Sequence, residues 1–153
     1  MKLILLVIAG LIFAFPAFAA GVKLESSVHE EITTVDAKGV SRVSLVDPTS
    51  VAPGDVVVIR IAYHNTSDAP VGDIVISNPV PEHLTFLTVR EGVGMVSVDG
   101  GKTYGALVDL TIKDGVDTRR PATTADVTHV RWRFDQPLAP GAQGAVAFAA
   151  RLD

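Results

Sequence analysis

Short runs of alternating apolar and polar residues, separated by turn-forming residues, are the feature that most constrains how this chain can fold. THVRWRFD at 128–135 alternates most regularly, and VVVIRIAYHN at 56–65 and AVAFAARL at 145–152 follow the same pattern. A period of two is typical of a strand that buries one face and leaves the other wetter, as in antiparallel sheets. The side chains expected on the buried faces are Val57, Ile59, Ile61, Tyr63, Val130, Trp132, Phe134, Val146, Phe148, Ala150 and Leu152.

The residues between these runs favour tight turns. Pro-Gly-Asp at 53–55 precedes one run and Pro-Gly at 140–141 precedes another, and proline followed by glycine suits the central positions of a turn. Counting such runs gives eight to ten strands, of which the first two cover about 22–35 and about 40–46. Pro79 lies in NPVPEH, whose prolines cannot donate to a ladder, so this segment predicts a crossover between strands or sheets. These signals predict an all-β fold, a sandwich or a barrel.

The first 19 residues have the three parts of a secretory signal. Lys2 supplies a positive charge, residues 3–15 form an unbroken apolar stretch of 13 residues, and AFA at 17–19 offers small residues for cleavage after Ala19. A membrane anchor is the alternative, but an anchor needs about 20 apolar residues to span a bilayer. We expect a signal peptide at 1–19 and one mature domain at 20–153.

The charge balance and the absence of cysteine exclude several functions. The chain has 13 basic and 17 acidic residues, a net charge of −4, and loss of Lys2 with the signal peptide would leave −5. This balance gives no electrostatic reason to bind nucleic acid. Because no cysteine occurs, thiol catalysis, cysteine-ligated zinc and disulfides are excluded, and stability must come from the core and from sheet pairing.

The order of the motifs resembles one known family. The matching residues are Pro53, Gly54, Asp55, Asn65, Thr66, Pro79, Pro81, Leu84 and Phe86, and SVDGGKTYG at 97–105 and the segment 128–152 are similar to later strands of the same family. Over about 40–152 the chain resembles the conserved-repeat domain of bacterial and archaeal surface proteins, known as domain of unknown function 11. The resemblance implies an immunoglobulin-like antiparallel β-sandwich with a structural role in envelopes, adhesins or filaments. It implies no catalytic residues, and this chain has one copy where family members often have many.

No clear pattern of catalytic or metal-ligating residues is visible. The four histidines, His29, His64, His83 and His129, lack the spacing of ligand pairs, and no Gly-x-Ser-x-Gly motif occurs. Acidic loops are better candidates, because calcium prefers clustered oxygens from flexible loops. They contain Asp99, Asp109, Asp114 and Asp117. The same residue type is also a common turn former, and we expect no catalytic residue, no metal site and no cofactor.

Two asparagines and three aromatic residues admit both a functional and a structural interpretation. NTS at 65–67 is formally a glycosylation sequon, and a Lys–Asn crosslink would need Asn65 or Asn78 on a strand. We expect both asparagines in loops and favour a turn role for Asn65. Exposed aromatic rings could form a sugar-binding platform, but the alternation favours a place in the core for Trp132, Phe134 and Phe148.

We expect a non-catalytic exported module of the cell envelope, structural or interacting, in the periplasm or at the cell surface. The alternative is a periplasmic protein that binds an ion or a small ligand, or an accessory to an enzyme. The expected partners are other envelope or surface proteins, with no nucleic acid and no membrane contact after signal cleavage. Self-association through the N-terminal strand at 22–35 is a further option, although we favour a strand that completes its own sandwich.

Overall fold

The structure, a computed structural model, describes residues 21–48 and 50–153. These residues form ten strands and two short 3₁₀ helices, Leu107–Asp109 and Thr124–Asp126. The strands are β1 (Val22–Val35), β2 (Ser41–Val46), β3 (Val56–Asn65), β4 (Val75–Pro79), β5 (Leu84–Glu91), β6 (Gly94–Ser97), β7 (Thr111–Lys113), β8 (Arg119–Pro121), β9 (His129–Arg133) and β10 (Gln143–Leu152). The predicted signal peptide at 1–19 lies outside the described residues.

The strands form two larger sheets and one small hairpin. A five-stranded sheet has the order β2-β1-β3-β10-β5, a three-stranded sheet has the order β4-β9-β6, and β7 pairs with β8. Every strand pairing is antiparallel. This confirms the predicted all-β antiparallel sandwich, and the strand count of ten lies at the upper end of the predicted range.

The core lies between the two larger sheets. Trp132 on β9 and Phe148 on β10 are its largest buried side chains, and their ring centroids are 6.3 Å apart. Burial of each large apolar side chain contributes about 1.5–3 kcal/mol. The other buried members are Val22, Val57, Ile59, Ile61, Ile74, Ile76, Phe86, Val96, Val127, Val130, Val146 and Ala150. The apolar faces predicted for β3, β9 and β10 therefore meet in the core.

The opposite face of the five-stranded sheet is also buried at its centre, which the alternation did not predict. Val58, Ala147 and Ala149 are buried on the face expected to be wetter. Arg90 on β5 reaches Glu31 on β1, with 2.8 Å between guanidinium and carboxylate, so this ion pair spans the two strands that carry the small side chains. The expectation of a wetter face is wrong here, because the three buried residues form a second cluster against which Val56 and Leu87 pack.

The proline-rich segment after β4 carries the chain from one sheet to the other. β4 ends at Pro79 in the three-stranded sheet, and β5 begins at Leu84 in the five-stranded sheet. Between them the Leu84 N–H donates to the Pro81 carbonyl at 3.2 Å, and His83 adopts a φ of 66°. Proline has no N–H to extend a ladder, so the strand ends where the sequence predicted a crossover.

The first strand has the predicted bounds and pairs with two different neighbours. Residues 22–30 of β1 pair with β3, and residues 30–35 pair with β2. β1 thus joins its own sheet, which is the arrangement favoured from the sequence. The part of the hairpin beyond residue 30 pairs with no other strand of the described chain, and its side chains are mostly exposed. We call residues 31–46 the arm.

Candidate functional site

The acidic residues considered as calcium ligands are not brought together. Asp99 and Asp109 line one open groove, whereas Asp114 and Asp117 lie in the turn between β7 and β8. The same groove contains the positive side chain of Arg119. Within residues 21–48 and 50–153, no three His, Cys, Asp or Glu side chains form a group that could hold a metal ion.

The histidines lie on separate elements. His29 is on β1, His64 on β3 and His129 on β9, and His83 lies in the crossover between β4 and β5. His129 Nδ1 is 3.1 Å from the hydroxyl of its neighbour Thr128. No two of the four histidines share a strand or a loop.

Asp99 holds its own loop together. Its carboxylate accepts hydrogen bonds from the Ser97 hydroxyl at 2.7 Å, the Lys102 N–H at 3.0 Å and the Thr103 hydroxyl at 2.6 Å. The bonds from the Thr103 hydroxyl and N–H, and then that from Ser97, hold the pKa of Asp99 well below its usual range. Its oxygens therefore stabilise the loop that follows β6.

A second carboxylate, that of Asp126, is also fully hydrogen-bonded, and the sequence alone did not single it out. It accepts two hydrogen bonds of 2.8 Å from the Arg120 guanidinium and two of 2.8 Å from the N–H and hydroxyl of Thr123. The bonds from Arg120, and then those from Thr123, hold the pKa of Asp126 well below its usual range. The spacing from Thr123 to Asp126 is that of a capping box and could have revealed the cap, whereas the pairing with Arg120 depends on the fold.

Asn65 is a buried hub at the end of β3. Its side-chain N–H groups donate to the carbonyls of Ala69 at 2.9 Å and Leu138 at 2.8 Å, and its side-chain oxygen accepts from the N–H and hydroxyl of Ser67. The amide thus joins the loop after β3 to the segment before β10, which supports the turn role over glycosylation. The expectation that both asparagines lie in loops is wrong, because Asn65 closes β3 and Asn78 lies within β4.

The aromatic residues considered as a sugar platform are packed. Trp132 is 2% exposed and Phe148 is fully buried. Phe134 is half-buried and meets Tyr63 edge to face, with ring centroids 4.9 Å apart. The structure therefore confirms the core interpretation for the first two, and places Phe134 at the margin of the core.

The outer face of the three-stranded sheet carries a stacked pair that the sequence did not reveal. The Arg131 guanidinium carbon lies 3.5 Å from the centroid of the Tyr104 ring, and the Tyr104 hydroxyl is 2.9 Å from the Ser77 hydroxyl. A cation over an aromatic face is attracted by the ring. The contacts fasten the loop after β6 to β4 and β9, and no local sequence pattern links these distant residues.

The arm carries a stripe of exposed apolar side chains. Val35, Val43 and Leu45 lie on the same face of the hairpin, because Val43 pairs with Thr33 and Leu45 pairs with Glu31. They are 64%, 60% and 43% exposed. Contiguous exposed apolar surface is typical of interaction sites. The arm is therefore the strongest candidate for a functional surface.

Comparison of the chain with family models, curated proteins and solved structures finds no match. The resemblance to the conserved-repeat domain stays a prediction from the motifs. In residues 21–48 and 50–153, no helix is both long and apolar enough to cross a lipid bilayer.

Proposed function

We propose that this protein is a non-catalytic exported module of the cell envelope that works by binding other proteins. The arm carries the proposal. It holds Val35, Val43 and Leu45 on one exposed face of a hairpin outside the packed sandwich. Burial of exposed apolar surface by a partner contributes favourable free energy to binding.

The hydrogen-bonded side chains support a scaffolding role. Asn65, Asp99 and Asp126 each bind groups of their own chain, and each fixes a loop at an end of the sandwich. Satisfied polar networks of this kind make a fold rigid. A rigid sandwich with a projecting hairpin suits a protein that presents a binding surface.

The proposed location follows from the N-terminal sequence. Residues 3–15 are apolar, and small residues follow at 17–19, as in an exported precursor. In the periplasm or at the cell surface the arm would meet other envelope or surface proteins, which we propose as its partners. The motif order that resembles the conserved-repeat domain points to the same setting.

Two substitutions can remove the exposed apolar stripe while leaving the arm itself in place. Val43→Ser with Leu45→Ser leaves the hairpin in place and makes its exposed face polar. The matched control is Val93→Ser with Val108→Ser, which removes apolar side chains that are 89% and 87% exposed elsewhere. We expect the arm variant to fold and to leave the envelope fraction of the native host, while the control stays with it. Equal retention of both variants would contradict the proposal.

A further inference from the structure

The edge of β1 that precedes the arm is open on one side. Residues 22–30 pair with β3, but β2 joins the other side only from residue 30 onward. In the described part of the chain, no strand pairs with the second side of residues 22–28. A row of backbone groups without ladder partners is a template for another strand.

The hydrogen-bond pattern shows which residues face this open side. The Gly21 carbonyl accepts from Thr66 on the β3 side, whereas the Asp36 N–H donates to Val40 on the β2 side. In an antiparallel ladder both backbone groups of a residue point to one side, and successive residues alternate. Odd-numbered residues of β1 therefore face β3. The backbone groups that face the open side belong to Val22, Leu24, Ser26 and Val28.

The free edge of β2 belongs to the arm, and several other sheet edges in the described chain are short or covered. β4 has five residues and ends at Pro79. The 3₁₀ helix Thr124–Asp126 lies against β5, and β6 exchanges two backbone hydrogen bonds with Gly105. Short strands, proline and covering segments are the usual protection against edge pairing. Residues 22–28 contain no proline, and no described strand covers their open side.

We propose that this edge binds the same edge of a second copy of the chain, antiparallel about a two-fold axis that passes between the two Leu24 residues. In this register the Lys23 ammonium of each copy lies opposite the Glu25 carboxylate of the other. Lys23 and Glu25 are exposed and already form a 2.5 Å ion pair within the chain. Pairing therefore produces four charges of alternating sign, and opposite charges across strands are stabilising.

The neighbouring registers are less favourable. An axis at Glu25 brings two carboxylates directly opposite each other, which is destabilising. An axis at Ser26 places Val22 of one copy opposite Glu30 of the other, and the open side of Glu30 is already occupied by Val46 of β2. The register centred on Leu24 avoids both conflicts and covers the exposed Leu24 side chain.

This dimer rests on the proposed function and deepens it by naming one partner. Two five-stranded sheets become one continuous sheet. Because the two β1 strands run in opposite directions, the two arms point away from each other. Each arm then stays accessible to other envelope proteins.

Single cysteine substitutions can test the register of the dimer by disulfide crosslinking, because the chain has no cysteine of its own. Opposite residues at a hydrogen-bonded position have Cα atoms about 5.5 Å apart, which is within disulfide range. We expect exported Leu24→Cys protein, oxidised after purification, to form a covalent dimer on a non-reducing gel. Ser26→Cys and Val93→Cys should remain largely monomeric. Crosslinking at Ser26 instead, equal crosslinking at all three sites, or none at Leu24 would overturn the proposal.

Charge exchange tests the same contact without cysteine. Lys23→Glu and Glu25→Lys each place like charges opposite each other, so each should raise the dimer dissociation constant at least about tenfold in sedimentation equilibrium. The double variant restores opposite charges and should restore the affinity. Lys38→Glu makes the same charge change in the turn of the arm and should leave the affinity unchanged, with circular dichroism to confirm folding of all four variants.

The dimer and the proposed function fail in different ways. A wild-type chain that stays monomeric at every concentration overturns the dimer and leaves the binding of the arm to envelope proteins untouched. A dimer that dissociates on charge reversal, together with an arm variant that stays in the envelope fraction, overturns the proposed function alone. If the double charge variant dimerises no more tightly than the single variants, the register centred on Leu24 is overturned.

Discussion

The indole N–H of Trp132 donates a 3.0 Å hydrogen bond to the Glu91 carbonyl, which ties β9 of the three-stranded sheet to the end of β5 in the other sheet. The turn that follows passes tightly over the ring. A Cβ on Gly92, which has a φ of 78°, would lie 2.9 Å from Trp132 Cδ1. Two sheets and a turn therefore meet at one side chain.

Truncation of Trp132 tests this junction. Trp132→Ala should lower the free energy of unfolding by about 3–5 kcal/mol, through lost burial and the cavity left behind. Trp132→Phe keeps most of the bulk but leaves the Glu91 carbonyl without its donor, so a smaller loss of about 1–3 kcal/mol is expected. Urea unfolding measures both. An alanine variant that loses under about 1 kcal/mol would place the ring outside the core.

Removal of the Asn65 amide should be costly as well. Asn65→Ala removes one of the two donors to each of the carbonyls of Ala69 and Leu138 and removes the acceptor of the Ser67 N–H and hydroxyl. We expect a loss of about 2–4 kcal/mol from these hydrogen bonds. Asn78 donates only to the exposed Pro79 carbonyl, so Asn78→Ala is the matched control and should change stability by about 0.5 kcal/mol or less. Similar losses for the two variants in urea unfolding would contradict the role of Asn65 as a hub.

Asp126 should make stability depend on pH in acid. Its pKa is lower in the folded chain than in the unfolded chain, so its ionised form stabilises the fold. That stabilisation is complete above the ordinary aspartate pKa of about 4 and is lost as the pH falls from there toward the lower folded value. The stability difference between wild type and Asp126→Asn should therefore be largest at neutral pH and narrow in acid.

Urea unfolding of both proteins over this pH range checks the prediction. Arg120→Gln removes the largest cause of the lowered pKa and should weaken the pH dependence of the wild-type chain. If the difference in unfolding free energy between wild type and Asp126→Asn stays constant from neutral pH into acid, the predicted role of Asp126 is wrong.

Calcium should have little effect on stability. Asp99 already binds its own loop, and Asp114 and Asp117 lie on a separate turn. The melting temperature in excess chelator should therefore match that in millimolar calcium. A rise of many degrees on adding calcium would show that the native state binds the ion, since a ligand bound only by the folded chain raises its stability.

The sequence predicted those parts of the fold that depend on local patterns. The period of two placed Trp132 and Phe148 in the core, and the prolines of NPVPEH marked the crossover after Pro79. Burial of Ala147 and Ala149 was not predictable, because it depends on packing with Val58 of β3 and Leu87 of β5, which are distant in sequence. A row of small side chains does not by itself indicate whether its face of the strand is buried or exposed.

The candidate surfaces were predictable only in part. The sequence identified 22–35 as a terminal strand with a choice of partners. It could not show that the open half is 22–28, because that depends on β2 joining β1 at Glu30. Register between strands is set by pairing across the sheet, and exposed strands such as β2 carry little pattern that specifies it.

Export of the chain is tested most directly by the intact mass of the protein recovered from the periplasmic or envelope fraction. We predict a mass that corresponds to a chain beginning at Ala20, after removal of residues 1–19. Recovery of a chain that retains residues 3–15, either anchored in the membrane or inside the cell, would contradict the account.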